Sequence, residues 1–249
     1  GMLFHSLLEQ SGGDYVNQMQ VSVDGLDPER FRAAWQAVVD GHAILRTAFA
    51  WQGGLPQPMQ VVHKQLDVPF TVLDWRARDD QSVALQALAA AELAQGFDLN
   101  RPGLLRLVLV RLDDRRCELL YTNHHILMDG WSNSQLLGEV LQRYDGQAPG
   151  PSVGRYRDYI AWLQRQDQQA SEQFWSANLT ALEEPTLLAQ TVSGQGQAAA
   201  GHGDHHLMLD GEQTRRLSEF ARQQKVTSNT LVQAAWLLLL QRYTGQDCV

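Results

Sequence analysis

The chain has 249 residues, 44% of them hydrophobic, with a formal net charge of −8 and a pI near 5.4. That acidity argues against a broad nucleic-acid surface, and two cysteines, Cys117 and Cys248, are too few for a disulfide framework or a thiolate zinc site. The longest apolar run, Ala234 to Leu240, falls far short of the ~18–20 residues of a membrane span. With no basic-then-apolar signal segment at its start, the sequence is expected to be a soluble, cytoplasmic protein of one large domain or two lobes of about 100–150 residues each.

Met2 to Leu8 reads as a short helix with an apolar face. In Tyr15 to Val23 the residues Met19, Val21 and Val23 keep the two-residue period of a half-buried strand, with Tyr15 and Asn17 set aside. Asp27-Pro28 supplies an N-cap followed by proline at the first helical position, and Phe31, Ala34, Trp35, Val38 and Val39 share one face of the helix that follows. Ile44 to Trp51 is a predicted strand, Gly53-Gly54 a turn, and Met59 to His63 a returning strand. Leu66 to Leu73 reads as extended and Ser82 to Gln95 as a helix. Leu104 to Leu112 and Cys117 to His124 form a predicted hairpin, and Leu136, Leu137, Val140, Leu141 and Tyr144 mark another helix. Helices and strands to this point imply a single mixed sheet. Tyr156 to Leu182 is mainly helical. Ser193 to Gly203, with four glycines among glutamine and alanine, cannot bury enough apolar surface to order itself and reads as a linker. Beyond it come a strand from His205 to Leu209, a helix capped by Asp210 with Gln213, a deeply buried apolar helix from Asn229 to Tyr243, and the start of a strand at Asp247-Cys248-Val249. Met59, the tryptophans and the leucine run at 237–240 read as core.

The stretch most suited to chemistry is Asn123-His124-His125-Ile126-Leu127-Met128-Asp129-Gly130-Trp131-Ser132, where the apolar strand gives way to a helix. Successive side chains on a strand point to opposite faces, so one histidine can face a cavity while the other is buried behind it. Asp129 can accept backbone N–H bonds in the turn or pair with a distant arginine. Gly130 allows a turn where a Cβ would clash. Ser132 with Gln135 fits a capping box. Trp131 reads as core packing rather than a substrate contact. The pair His205-His206, with His202 nearby, has only Asp204 for company and reads as structural rather than a metal site.

His124-His125-x-x-x-Asp129-Gly130 resembles the HHxxxDG motif of nonribosomal peptide synthetase condensation domains, relatives of chloramphenicol acetyltransferase. Other landmarks stand in the same order. Gly1-Met2-Leu3-Phe4-His5 resembles the family's opening helix, and His42 to Phe49 its RHxxLRTxF element, with Gly41 replacing the usual arginine. Gly96-Phe97-Asp98-Leu99 with Leu104-Leu105-Arg106 resembles FDLxxxPLLR, and Arg155 to Tyr159 the later Y-x-D-Y element.

The resemblance implies an α/β (α+β sandwich) fold: an acetyltransferase-like lobe with a mixed sheet and flanking helices over residues 1–180, a linker over 181–204, and an incomplete second lobe over 205–249. It implies amide formation between a carrier-bound donor acyl or peptidyl thioester and the α-amine of a carrier-bound acceptor. The substrates would ride on phosphopantetheine, with no cofactor or metal bound directly. The partners implied are two peptidyl carrier proteins and an adjacent adenylation domain, with no nucleic acid and no membrane. His125 would be the catalytic residue, as proton acceptor or as a hydrogen-bonding, positioning group. His124 would be buried support and Asp129 architectural, ion-paired with Arg46 of the LRTxF element. Gly130 would present its N–H to the donor carbonyl or serve only the turn. The two histidines exclude the heterocyclization subtype, and the opening and motif residues look most like the D-donor, L-acceptor subtype. Two rival readings are a CoA-dependent acyltransferase, disfavoured because its motif lies near the C-terminus and not at mid-chain, and a carrier-docking fragment without catalysis.

Overall fold

Strand alternation organises the first half of the molecule. In the computed structural model, which describes residues 2–8, 15–55, 57–147, 154–182, 184–192 and 206–249, β5 (Leu105–Arg111) and β6 (Arg116–His124) form an antiparallel hairpin. β1 (Val16–Asp24) pairs antiparallel with the other edge of β6, and β4 (Phe70–Asp74) pairs parallel with β5. The order is therefore β1-β6-β5-β4. A parallel pair needs a crossover connection, supplied here by α3 (Gln81–Ala94) between β4 and β5.

The two faces of this sheet bury different residues. Leu105, Leu107 and Leu109 of β5, with Cys117, Leu119 and Tyr121 of β6, pack against Phe31, Ala34, Trp35, Val38 and Val39 of α2 (Pro28–Gly41). Leu136 and Val140 of α4 (Gly130–Tyr144) join the same cluster. The alternate residues Val108, Val110 and Leu120 meet Leu85 of α3. Both faces are covered, which explains why β5 and β6 read as nearly continuous apolar runs. Asp27 caps α2 as its sequence requires, its carboxylate accepting from the Glu29 and Arg30 N–H groups.

Several expectations need correction. The segment after α2 does not enter a strand at Ile44: Ala43–Arg46 is a 3₁₀ turn, and β2 is Thr47–Ala50. β2 pairs with β3 (Met59–Val62) as a separate two-stranded sheet, so the strands do not share one sheet. β3 is exposed along its length, Met59 included, because nothing described covers it.

The described residues form two compact units, Gly1–Arg165 and Gln166–Val249. The first also contains α1 (Met2–Leu8) and α5 (Tyr156–Leu163). The second contains α6 (Gln168–Asn178), α7 (Leu188–Val192), α8 (Gly211–Gln223) and α9 (Ser228–Thr244). The glycine-rich stretch 193–203, together with His202, Asp204 and His205, lies outside the described residues. Asp210 and Gln213 form the capping box of α8, with reciprocal bonds of 2.7 and 3.0 Å. Residues 206–210 and 245–249 are not strands among the described residues, since no described segment offers them a ladder partner. Nor is α9 buried: Val232, Trp236 and Leu238 are 60%, 53% and 58% exposed. A helix apolar on every side needs neighbours all round it, and α7 and α8 supply only part of that cover. Trp162, Trp175 and Trp236 are likewise exposed, leaving Trp35 as the fully buried tryptophan among the described residues.

Candidate active site

The site grows from the end of β6. β1 and β6 remain in register up to Val16 opposite His124, and the His125 N–H continues the ladder by donating to Tyr15 O at 2.7 Å. His124 N–H donates to Leu104 O on the other side at 2.9 Å. The backbone of both histidines is thus pinned while their rings part.

The ring of His124 is buried (5% exposed), stacked on Tyr15 with centroids 6.2 Å apart and edge-on to Phe97 at 6.4 Å. Its Nδ1 accepts the Ile126 N–H at 3.0 Å, so the neutral ring carries its proton on Nε2, which lies 3.5 Å from Ser6 Oγ. Burial, with a smaller contribution from His125, pushes its pKa down to about 4. This histidine is a buried, neutral ring. His125 sits in the turn, half-buried, with Nδ1 3.2 Å from Asn17 Nδ2.

Asp129 is the N-cap of α4, its Oδ1 accepting the Ser132 N–H at 2.8 Å. That bond, with a second contribution from the Ser132 side chain, holds the carboxyl below the usual carboxylate range. The Ser132–Gln135 capping box is therefore corrected. An acidic acceptor three residues earlier starts the helix first, and Ser132 lies inside its opening turn. Gly130 is the first helical residue, and a Cβ added there would meet nothing within 4 Å. Its φ is not positive, so the turn does not require glycine for steric reasons. As the first residue of the helix it contributes one of the N–H groups that have no intrahelical acceptor. Trp131 is 81% exposed in the same turn, not core packing, because it lies on the side of α4 away from the sheet.

Arg46 does not pair with Asp129. Its Nη1 donates to Val39 O and Asp40 O, both at 2.6 Å, and its Nε to His63 O at 3.1 Å. The last carbonyls of α2 have no intrahelical donors, and a guanidinium fork close by satisfies them while Asp129 is occupied by Ser132. Arg46 thus ties the end of α2 to the residue after β3.

Three further residues at the site are not among those the sequence singles out: Ser6, Tyr15 and Asn17. Asn17 carries a signal, being a polar residue in the same alternation phase as Met19, Val21 and Val23. The helix carrying the motif is held by Tyr121 Oη donating to Asn133 Oδ1 at 2.9 Å and by Glu139, which is 2.7 Å from His42 Nε2 and bonded to Arg143. Among the described residues no cluster of His, Cys, Asp or Glu has the arrangement of a metal site, and no helix is long and apolar enough to cross a membrane.

A family model described as "Condensation domain" matches residues 1–249. The chain belongs to the condensation-domain family. One of the linear gramicidin synthase subunits of Brevibacillus parabrevis is 42% identical over the whole chain, and chondramide synthase cmdD of Chondromyces crocatus 39% identical over 94% of it. The chain spans only 3% and 6% of the length of those two proteins. The first condensation domain of the calcium-dependent antibiotic synthetase, solved in complex with a substrate analogue, shares the fold with a TM-score of 0.72 at 22% identity. That likeness covers 98% of this chain and 58% of the solved one. The mixed sheet with helices on both faces is thus a condensation-domain fold.

Proposed function

We propose that this chain is the histidine-bearing part of a condensation domain that joins two carrier-tethered substrates through an amide bond. In the reaction the α-amine of an acceptor aminoacyl thioester attacks the carbonyl carbon of a donor acyl or peptidyl thioester. The new C–N bond forms, the C–S bond breaks, and the proton lost by the amine ends on the departing thiol. Phosphopantetheine arms of two carrier proteins would bring the thioesters, so the chain needs no bound cofactor. An adenylation domain would load those carriers.

His125 is the residue we assign to the reacting atoms. The observation that carries this is its placement: a backbone locked by the Tyr15 bond, and a half-buried ring beside one whose burial keeps it neutral. Holding two tethered substrates at a fixed point could supply much of the acceleration. An α-amine with an unperturbed pKa of about 7.7–8.0 is partly neutral near pH 7 without a base, so the ring's task is to orient and to hydrogen-bond. We also propose that residues 1–180 and 205–249 belong to successive acetyltransferase-like lobes, and that the subtype takes a D-configured donor and an L-acceptor.

A single-turnover assay with loaded donor and acceptor carriers, read by intact mass spectrometry, tests the proposal on the whole condensation domain carrying this sequence. Product should form and should fall at least ~100-fold in the His125→Ala variant. With matched carriers and a folded domain, no product would refute the assignment, and acylation of a soluble acceptor from a CoA thioester would replace it.

A further inference from the structure

The half-exposed histidine has one polar neighbour that the motif does not include. Asn17 lies opposite Asn123 in the β1–β6 ladder, and the Tyr15–His125 bond lies two residues further along. The side chains of Asn17 and His125 therefore rise on the same face as a diagonal cross-strand pair. The amide nitrogen of Asn17 is 3.2 Å from Nδ1 of His125. With its amide nitrogen turned to the ring Asn17 can only donate, and Nδ1 then offers a lone pair. A neutral imidazole has one protonated and one bare nitrogen, and the proton is then on Nε2.

We propose that Asn17 is a positioning residue which, by donating to Nδ1, turns the ring of His125 and keeps it as the Nε2–H tautomer. The inference deepens the condensation reading and rests on it for its chemical meaning. A ring held this way presents a donor, not a base, to the substrates. Nε2–H suits the carbonyl oxygen of the donor thioester, where negative charge gathers as the amine adds. The amine enters in its neutral form, the C–N bond forms as charge moves to oxygen, and the charge returns as the C–S bond breaks. The proton released from nitrogen goes to the departing thiolate, so the ring ends as it began. An amide facing the other way would accept from Nδ1–H, leave Nε2 bare and make the ring a proton acceptor.

The two arrangements are separable by NMR on the whole condensation domain carrying this sequence, with ¹⁵N-labelled histidine, at about pH 9, well above the ordinary imidazole pKa near 6.5. Long-range ¹H–¹⁵N correlation distinguishes a protonated ring nitrogen from a bare one. The wild type should show His125 protonated at Nε2 by about ten to one or more, the bias expected of one good hydrogen bond. Asn17→Ala should lower that ratio several-fold, and Asn17→Asp, whose carboxylate can only accept, should move the proton to Nδ1. Asn17 is exposed, so neither change opens the core. A wild-type ring protonated mainly at Nδ1, or a tautomer ratio unchanged in Asn17→Ala, would overturn the proposal. The readout needs no substrate, so its outcome is independent of whether the domain forms an amide.

Discussion

His124 should make the fold sensitive to mild acid, and the size of the effect can be worked from its surroundings. Burial between Tyr15 and Phe97, with the neighbouring His125 adding less, lowers the ring from 6.5 to about 4. Above pH 6.5 the ring is neutral in both the folded and unfolded chain, and its full contribution to stability is present. Between 6.5 and about 4 the unfolded chain binds a proton that the folded chain refuses, so stability falls as the pH falls. A tenfold difference in proton affinity between the two states corresponds to about 1.4 kcal/mol. Allowing for some relaxation of the site, about 2–3 kcal/mol should be lost by pH 4. The control is His124→Asn, whose side-chain oxygen can still accept from the Ile126 N–H but does not titrate. Urea unfolding at stepped pH, with the variant's profile subtracted from the wild type's, removes the contributions of carboxylates and other histidines. A direct NMR titration of the His124 ring supplies the folded-state value. Parallel profiles for the two proteins between pH 7 and 4.5, or a ring that titrates near 6.5, would refute the assignment of His124 as a buried, neutral ring.

Three further outcomes are expected. Arg46→Ala should cost about 2–3 kcal/mol in urea unfolding by leaving the last carbonyls of α2 without donors, with only partial recovery in Arg46→Lys. A double-mutant cycle with Asp129→Ala should show no coupling between the two positions, and a clear coupling would restore the ion pair. Arg106→Ala should cost about 3 kcal/mol, because Arg106 and Glu92 are each 17% exposed and the substitution strands the carboxylate while removing the stack on Phe97; thermal unfolding checks this, and a loss no larger than that of Arg76→Ala at the surface would argue against it. Gly130→Ala should leave the fold intact and stabilise it slightly, by up to ~1 kcal/mol, since no atom stands where the Cβ would be. A destabilised variant, seen as a lower unfolding midpoint, would show that the glycine is sterically required after all.

What is legible in the sequence follows the range of the interaction concerned. The Asp27-Pro28 start of α2, the β5–β6 hairpin and the box capping α8 depend on residues within a few positions of each other, and periodicity exposes them. The separation of His124 from His125 needs only strand alternation. The start of α4 is ambiguous in sequence because two capping signals overlap, and geometry chooses Asp129 over Ser132. The partner of Arg46 cannot be read at all. Carbonyls at 39, 40 and 63 carry no mark in a sequence, whereas a conspicuous aspartate at 129 invites pairing. Asn17 looks like noise in an alternating strand, although a polar residue in the inward phase is the form a site residue takes on a strand. The apolar composition of α9 indicates its helical state and promises a burial that the described residues do not provide.

The unbroken pairing of β1 with β6 restricts how this chain can change in length. Nine successive pairs run from Asp24–Arg116 to Val16–His124 with no bulge to absorb an extra residue. One residue added between Cys117 and Leu119 would bring His124 to the place of His125, Glu118 deleted would bring Ile126 there, and either would turn Leu119 and Tyr121 off the face that α2 and α4 cover. Residues 113–115, outside that pairing and exposed, can lengthen or shorten without touching the parity. A library of single-codon insertions and deletions along this hairpin should therefore yield folded proteins at the tip and almost none along the strand.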